Sequence, residues 1–144
     1  MLIVEGTTEF KLKHKSAVAI GKFDGLHLGH QKLIEEIIKV KHNERKAVVF
    51  TFDPSPSVFF GKEPVAELMT RKEKRMAFEA IGVDILIEFP LNRQTASIPP
   101  EKFITDILVG QMNADFIAAG MDISFGDRGK GDYKLLQQLS RHYN

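Results

Sequence analysis

The residues best able to do chemistry lie in one ten-residue segment, Gly21–His30, which places two histidines among three glycines (GKFDGLHLGH). An imidazole N–H can donate to a phosphate oxygen, and glycine lets a ligand approach the backbone closely. His27 and His30 are therefore candidates for binding phosphate. The same pair also fits a surface pair at a helix start, or a zinc site if a third ligand exists. Cysteine is absent and the other histidines are scattered through polar stretches, which disfavours zinc.

This segment lies between a predicted strand and a predicted helix. Ser16–Ile20 is an apolar run typical of a buried strand, and four aliphatic residues recur at helical spacing within Gln31–Val40. A strand-to-helix turn presents free backbone N–H groups at the positive end of the helix dipole, where anions bind. The turn and its side chains together indicate a site for the phosphates of a nucleotide.

Strand-like and helical segments alternate along the rest of the chain. Further strands are predicted at Lys46–Phe52, Val83–Phe89 and Ala114–Gly120, and Leu2–Leu12 is compatible with an extra strand. A helix is predicted at Lys72–Ile81, with Gly82 as its C-cap. A second begins at Pro100 and places four apolar residues on one face: Phe103, Ile104, Ile107 and Leu108. A last helix begins at Tyr133. This alternation predicts an α/β fold with a mostly parallel sheet flanked by helices.

Polar turns follow three of the predicted strands. These turns are Gly21–His30, Asp53–Pro56 and Gly120–Asp132. Loops are expected at Pro90–Pro99 and, within the third turn, at Gly126–Gly131. Ligands of open α/β sheets bind beyond the carboxyl ends of the strands. We therefore expect the three turns to meet at one shared site.

The composition limits the class of protein. With 144 residues, 43% hydrophobic and 27% charged, the chain is expected to form one folded domain that is not embedded in a membrane. A net charge of +1 gives no reason to expect a nucleic-acid partner. The lack of cysteine excludes disulfides and thiol catalysis, and no apolar run reaches membrane-spanning length. These features predict a cytoplasmic protein.

The second and third polar turns offer further candidate residues. Asp53 lies in Thr51–Pro56 (TFDPSP), which also suits an ordinary proline-bounded loop. In Gly120–Asp132, Asp122 can accept a ligand hydrogen bond or help to hold Mg²⁺, and Arg128 can bind phosphate. A solvated loop with Asp132 capping the next helix explains that segment equally well.

All three segments resemble one family, the bacterial FAD synthetases, which are the flavin-specific branch of the HxGH nucleotidyltransferases. The first matches Gly-x-Phe-Asp-Gly-x-His-x-Gly-His. The second is similar to Thr-Phe-Asp-Pro-His-Pro, and the third to Gly-x-Asp-Phe-x-Phe-Gly followed at the same spacing by Gly-Asp. The resemblance runs from about Ser16 to about Leu139. Four positions depart from the family: Ser55 replaces histidine, Thr95 and Ile123 replace phenylalanine, and Ser124 stands where arginine is frequent.

The resemblance implies a Rossmann-like nucleotidyltransferase fold and adenylyl transfer from ATP to FMN, giving FAD and pyrophosphate. It makes His27 and His30 the catalytic residues. It implies that ATP is bound by Gly21, Phe23, Asp24, Gly25, His27, Gly29 and His30. It implies that FMN is bound by Asp53, Pro54, Ser55, Pro56, Asp122, Phe125 and Arg128. Mg²⁺ would be held through the substrate phosphates, with Asp122 as a candidate ligand.

The family's adenylyltransferase module continues to a Ser-Ser-Thr segment followed by arginine, and a riboflavin kinase domain often follows. Neither occurs before Asn144, so we expect a single FMN adenylyltransferase-like domain over 1–144, taken from a longer protein or lacking part of the apparatus. Two other functions stay open: a nucleotidyltransferase with another phosphorylated acceptor, and a nucleotide- or flavin-binding module without catalysis. The expected partners are ATP and FMN, with no nucleic acid or membrane, and the oligomeric state is open.

Overall fold

The computed structural model describes residues 1–21, 23, 28–53, 70–120 and 123–143. Within them, five parallel strands form one sheet in the spatial order β1-β4-β3-β2-β5. The strands are β1 Leu2–Glu5, β2 Lys15–Ile20, β3 Arg45–Asp53, β4 Ile85–Pro90 and β5 Ala114–Ala119. The predicted parallel α/β fold is confirmed, and the extra strand at the N-terminus is shorter than the segment considered for it.

The helices also agree largely with the sequence pattern. They are α1 Leu28–Val40, α2 Arg71–Ile81, a single turn α3 Arg93–Ala96, α4 Pro100–Lys102, and α5 Tyr133–Tyr143. After α4 the chain continues as a π-helix over Phe103–Gln111, and the N–H of Met112 donates to the carbonyl of Ile107 at 2.8 Å. Hydrophobic spacing predicts a helix here, but it carries no signal that distinguishes the rarer π geometry.

Helix ends follow the expected local chemistry. Thr70 and Glu73 form a capping box at the start of α2, and Gly82 ends the helix in the left-handed region with φ 110°. Asp132 Oδ1 accepts from the N–H of Leu135 at 2.9 Å, which confirms its capping role at α5. The predicted loop at Pro90–Pro99 contains α3, because Asn92 caps that turn by accepting from Thr95 N at 2.9 Å.

Each face of the sheet is covered by helices. One face packs against α1 and α2, and the opposite face packs against the π-helix and α5. The first layer buries Ala17, Ala19, Val49, Ile34, Ile37 and Phe78. The second layer buries Val18, Ile20, Phe50, Phe103, Ile104, Ile107 and Leu108. The four apolar residues predicted to share a face after Pro100 are therefore all in the core.

A short hairpin replaces part of the predicted glycine-rich loop. Strands β6 Ser124–Phe125 and β7 Gly131–Asp132 pair antiparallel around a 3₁₀ turn at Asp127–Gly129. A Cβ atom on Gly131 would lie 2.3 Å from the ring of Phe125, so only glycine leaves room for that ring against β7. The expectation of a loop over Gly126–Gly131 was wrong at its end, because Gly131 pairs with Phe125 across the hairpin.

The strand order contains a switch in direction. From β2 the chain moves to β3 and then β4 on one side, whereas β5 returns to the other side of β2. Its path to β5 runs through the helices on the opposite face of the sheet. The two paths diverge at the carboxyl end of β2, which is the position where ligands bind in open α/β sheets.

Candidate active site

The three polar turns begin at neighbouring strand ends. Ile20, the last residue of β2, pairs with Phe50 of β3 and with Ala119 of β5. The N–H of Gly21 donates to the carbonyl of Phe50 at 3.2 Å, so the chain leaves β2 beside the end of β3. As the sequence predicts, the turns that follow β2, β3 and β5 start side by side at one edge of the sheet.

Only some of the predicted site residues can be placed. The described residues include seven of them: Gly21, Phe23, Gly29, His30, Asp53, Phe125 and Arg128. The other seven predicted site residues lie outside the described part of the chain: Asp24, Gly25, His27, Pro54, Ser55, Pro56 and Asp122. The roles of this second group remain predictions from the family motifs.

His30 lies in the first turn of α1, whose N-terminus follows the β2 turn. Its side chain is partly buried and its Nδ1 atom is fully so. A contact from this ring to a ligand would therefore come from Nε2. The imidazole packs against Phe23, with ring centroids 5.2 Å apart and ring planes tilted by 58°.

Phe23 is fully buried, although the motif places it in the predicted ATP turn. Its backbone has φ 52°, and its ring makes an edge-to-face contact with Phe78 at 5.6 Å. A Cβ atom on Gly21 would lie 3.2 Å from the same ring, so the glycine allows the ring to fold back against the strand end. Phe23 can thus shape the turn from inside the core, whereas its ring is not available to a nucleotide.

On the predicted FMN side, Asp53 ends β3 and accepts a hydrogen bond from Arg71. The two side chains are about half exposed, at 42% and 48%. This hydrogen bond raises the pKa of Arg71 above its usual value, and partial burial opposes the shift. The positive charge of Arg71 therefore lies beside the Asp53 carboxylate at this end of β3.

The two other described FMN-side residues differ from each other. Phe125 is only 3% exposed and packs against Phe103 with ring centroids 5.3 Å apart, so it connects the hairpin to the hydrophobic core. Arg128 is exposed in the 3₁₀ turn, with φ 55°. Of these two, Arg128 has the side chain that can reach a phosphate.

A charged cluster at the ends of β1, β3 and β4 was not predicted. It comprises Glu5, Asp53, Glu88, Arg71 and Arg75. Glu88 is buried, and Arg75 donates to it from Nε at 3.2 Å and from Nη2 at 2.5 Å. These bonds, with a further one to Glu5, raise the pKa of Arg75 well above its usual value. The four-residue spacing of the arginines on α2 was the only sequence signal, since the carboxylates come from three separate strands.

The described residues offer no ready-made metal centre. No group of three or more histidine or carboxylate side chains able to hold a metal ion occurs among them. Asp53 is already hydrogen-bonded to Arg71 through Oδ2. Asp122, the candidate ligand, lies outside the described residues.

A parallel α/β sheet with a glycine-containing turn at its switch point is typical of the nucleotide-binding class of domains. Comparison with known proteins identifies the family within this class. The profile of the FAD synthetase family matches residues 9–144. The chain belongs to the FAD synthetase family, as its motifs indicated.

Curated relatives support this assignment. The bifunctional riboflavin kinase/FMN adenylyltransferase of Buchnera aphidicola subsp. Schizaphis graminum is 37% identical over 136 residues, which cover 93% of this chain and 44% of the relative. The enzymes of the same name from Bacillus subtilis and Escherichia coli are 35% and 31% identical, covering 85% and 88% of this chain and 39% and 41% of theirs. This chain thus spans less than half the length of these relatives.

One solved structure has a closely similar fold. The crystal structure of a macrolide-efflux protein from Streptococcus pneumoniae superposes with a TM-score of 0.77 at 27% identity, over 95% of this chain and 46% of that one. This likeness supports the α/β assignment. Along the part of the chain that the structure describes, no helix has the length and apolar character needed to cross a membrane.

Proposed function

We propose that this chain transfers the adenylyl group of ATP to FMN, giving FAD and pyrophosphate. The observation that carries the proposal is the match of residues 9–144 to the FAD synthetase family. The relatives named riboflavin kinase/FMN adenylyltransferase support it, although this chain covers under half of their length. In this proposal residues 1–144 act as one FMN adenylyltransferase-like domain in the cytoplasm.

The reaction needs little acid–base chemistry from the protein. An oxygen of the FMN phosphate attacks the α-phosphorus of ATP in line, and the bond from that phosphorus to the β-phosphate oxygen breaks as pyrophosphate leaves. The nucleophile is already an anion at neutral pH, so no proton has to be removed and no covalent protein intermediate is required. Catalysis then consists of positioning the two substrates and stabilising the charge on the phosphates.

The ATP side of the proposed site is the turn between β2 and α1. His27 and His30 donate hydrogen bonds to the phosphates, and His30 does so from the first turn of α1, where the helix dipole favours anions. Gly21, Phe23, Asp24, Gly25 and Gly29 shape the turn around the nucleotide. The position of Gly21 at the switch point of the sheet supports this part of the proposal.

The FMN side is formed by the turns after β3 and β5. Its proposed residues are Asp53, Pro54, Ser55, Pro56, Asp122, Phe125 and Arg128. The exposed position of Arg128 and the ion pair of Arg71 with Asp53 support binding of an anionic acceptor there. Mg²⁺ accompanies ATP through the substrate phosphates, where it usually keeps few protein ligands.

The test is to incubate the purified protein with FMN, ATP and Mg²⁺ and to separate the products by chromatography. FAD should form from FMN but not from riboflavin, which lacks the nucleophilic phosphate. If ATP binds and no FAD forms, the chain is a binding module and the proposal is wrong.

Another phosphorylated acceptor is the competing possibility, because four residues depart from the family pattern on the acceptor side. The structure explains one of them without reference to a ligand. Thr95 Oγ1 donates to the carbonyl of Pro90 at 2.8 Å and accepts from Asn92 N at 2.8 Å, so threonine here caps α3. Ser55, Ile123 and Ser124 keep the alternative open. Competition between FMN and other phosphorylated acceptors for ATP turnover decides it.

A further inference from the structure

Phe23 combines two properties that rarely occur together. It has φ 52°, in the left-handed region that bulky side chains seldom adopt, and its side chain is 0% exposed. Among the described residues, the other non-glycine positions with positive φ are Asn113 and Arg128, neither of which is buried. Strained backbone of this kind persists where the surroundings enforce it and is concentrated at functional sites.

The surroundings of the Phe23 ring show what the strained conformation achieves. The ring contacts Phe78 edge-to-face at 5.6 Å, and it covers Gly21 so closely that a Cβ atom there would be 3.2 Å away. Its third neighbour is the His30 imidazole at 5.2 Å. Phe23 is thus fixed by the core and by the end of β2. It also contacts His30, the histidine of Gly21–His30 that the structure describes.

We infer that Phe23 is a positioning residue, which fixes the orientation of the His30 imidazole so that Nε2 points at the phosphates. The inference rests on the proposed function of His30. An imidazole in the first turn of a helix can rotate about two side-chain bonds, and a neighbouring ring restricts that rotation. A displacement of about 1 Å in a catalytic group can cost about 100-fold in rate, so this restriction matters for turnover.

A role in positioning predicts a specific kinetic signature. Phe23→Leu keeps an apolar side chain in the core but removes the ring beside His30. We expect kcat to fall about 10- to 100-fold, while KM for ATP and for FMN stays within about threefold, because His30 would act mainly in the transition state. The melting temperature should also fall.

Phe78→Leu is the matched control, because it removes the other ring of the Phe23–Phe78 pair, which is equally buried at 1% exposure. It should lower the melting temperature by a similar amount and change kcat by less than about threefold, by the same argument. An equal loss of kcat in Phe78→Leu would overturn the inference, since loosening of this core layer would then explain both variants. Unchanged kcat in Phe23→Leu would overturn it as well.

A second readout separates this inference from the proposed function. In the ligand-free protein, the NMR couplings that report the His30 side-chain rotamer should show one conformer in the unmodified protein and averaging in Phe23→Leu. Phe78→Leu should keep the single conformer. If the unmodified protein makes no FAD, the proposed function fails while this measurement still tests the positioning. Phe23→Met replaces Phe23→Leu if the latter does not fold, and a single His30 rotamer in that variant overturns the inference.

Discussion

Arg75 holds the buried carboxylate of Glu88 with two nitrogen atoms, Nε at 3.2 Å and Nη2 at 2.5 Å. The Glu88 side chain is 7% exposed, and Arg75 also reaches Glu5 at 2.7 Å. A carboxylate so far from water is stable only when it is paired and hydrogen-bonded. Arg75 therefore attaches α2 to the edge of the sheet formed by β1 and β4.

Breaking this pair should cost substantial stability. Arg75→Met leaves Glu88 buried without its main partner, and we expect the free energy of unfolding to fall by about 3 kcal/mol. Urea denaturation measures the loss. The double variant Arg75→Met with Glu88→Met should recover most of it, because no buried charge remains. A double variant no more stable than the single one would contradict this account.

The neighbouring pair, Arg71 with Asp53, should behave differently because both side chains are about half exposed. Water screens such pairs, so Arg71→Met should lower the free energy of unfolding by less than about 1 kcal/mol. The same urea titration, run beside that of Arg75→Met, gives the comparison. Equal losses in the two arginine variants would show that burial of the partner carboxylate is not the controlling factor.

Loss of either motif histidine should reduce catalysis while the fold is retained. If His27 and His30 stabilise charge on the phosphates, replacing either by alanine should lower kcat by about 10²- to 10³-fold. Steady-state FAD formation measures the effect, and circular dichroism checks the fold. His42→Ala is the control, because His42 is exposed and precedes the amino end of β3, whereas the proposed site lies at the carboxyl ends of the strands. A full-rate His30→Ala protein would refute the assignment.

The hairpin beside the proposed FMN site should tolerate no side chain at Gly131. A Cβ atom there would lie 2.3 Å from the Phe125 ring, which is itself packed on Phe103. Gly131→Ala should therefore destabilise the protein by about 1–3 kcal/mol, as overpacking of a core does. Thermal unfolding tests this, with Gly131→Ala plus Phe125→Leu as the rescue variant. Destabilisation that persists after the ring is removed would assign the cost to the backbone at Gly131 instead.

Features set by residues close together in the chain could be predicted from the sequence. The strand before Gly21, the helix after it and the left-handed cap at Gly82 are all present in the structure. The buried face that begins at Phe103 is present as well. Alternation of apolar residues and helix-ending glycines are local properties, so a single sequence carries them. The same local motifs were enough to identify the family.

The tertiary structure alone decided the contacts between distant residues. Glu5 and Arg75 are 70 positions apart and meet only because β1 lies next to β4, an order that no local pattern specifies. The Phe23 ring likewise contacts Phe78, which lies about 55 positions further along the chain on α2. Local sequence determines which elements form and which faces are apolar. Their packing determines which charges are buried together and which ring contacts His30, because those energies arise only when separate elements meet.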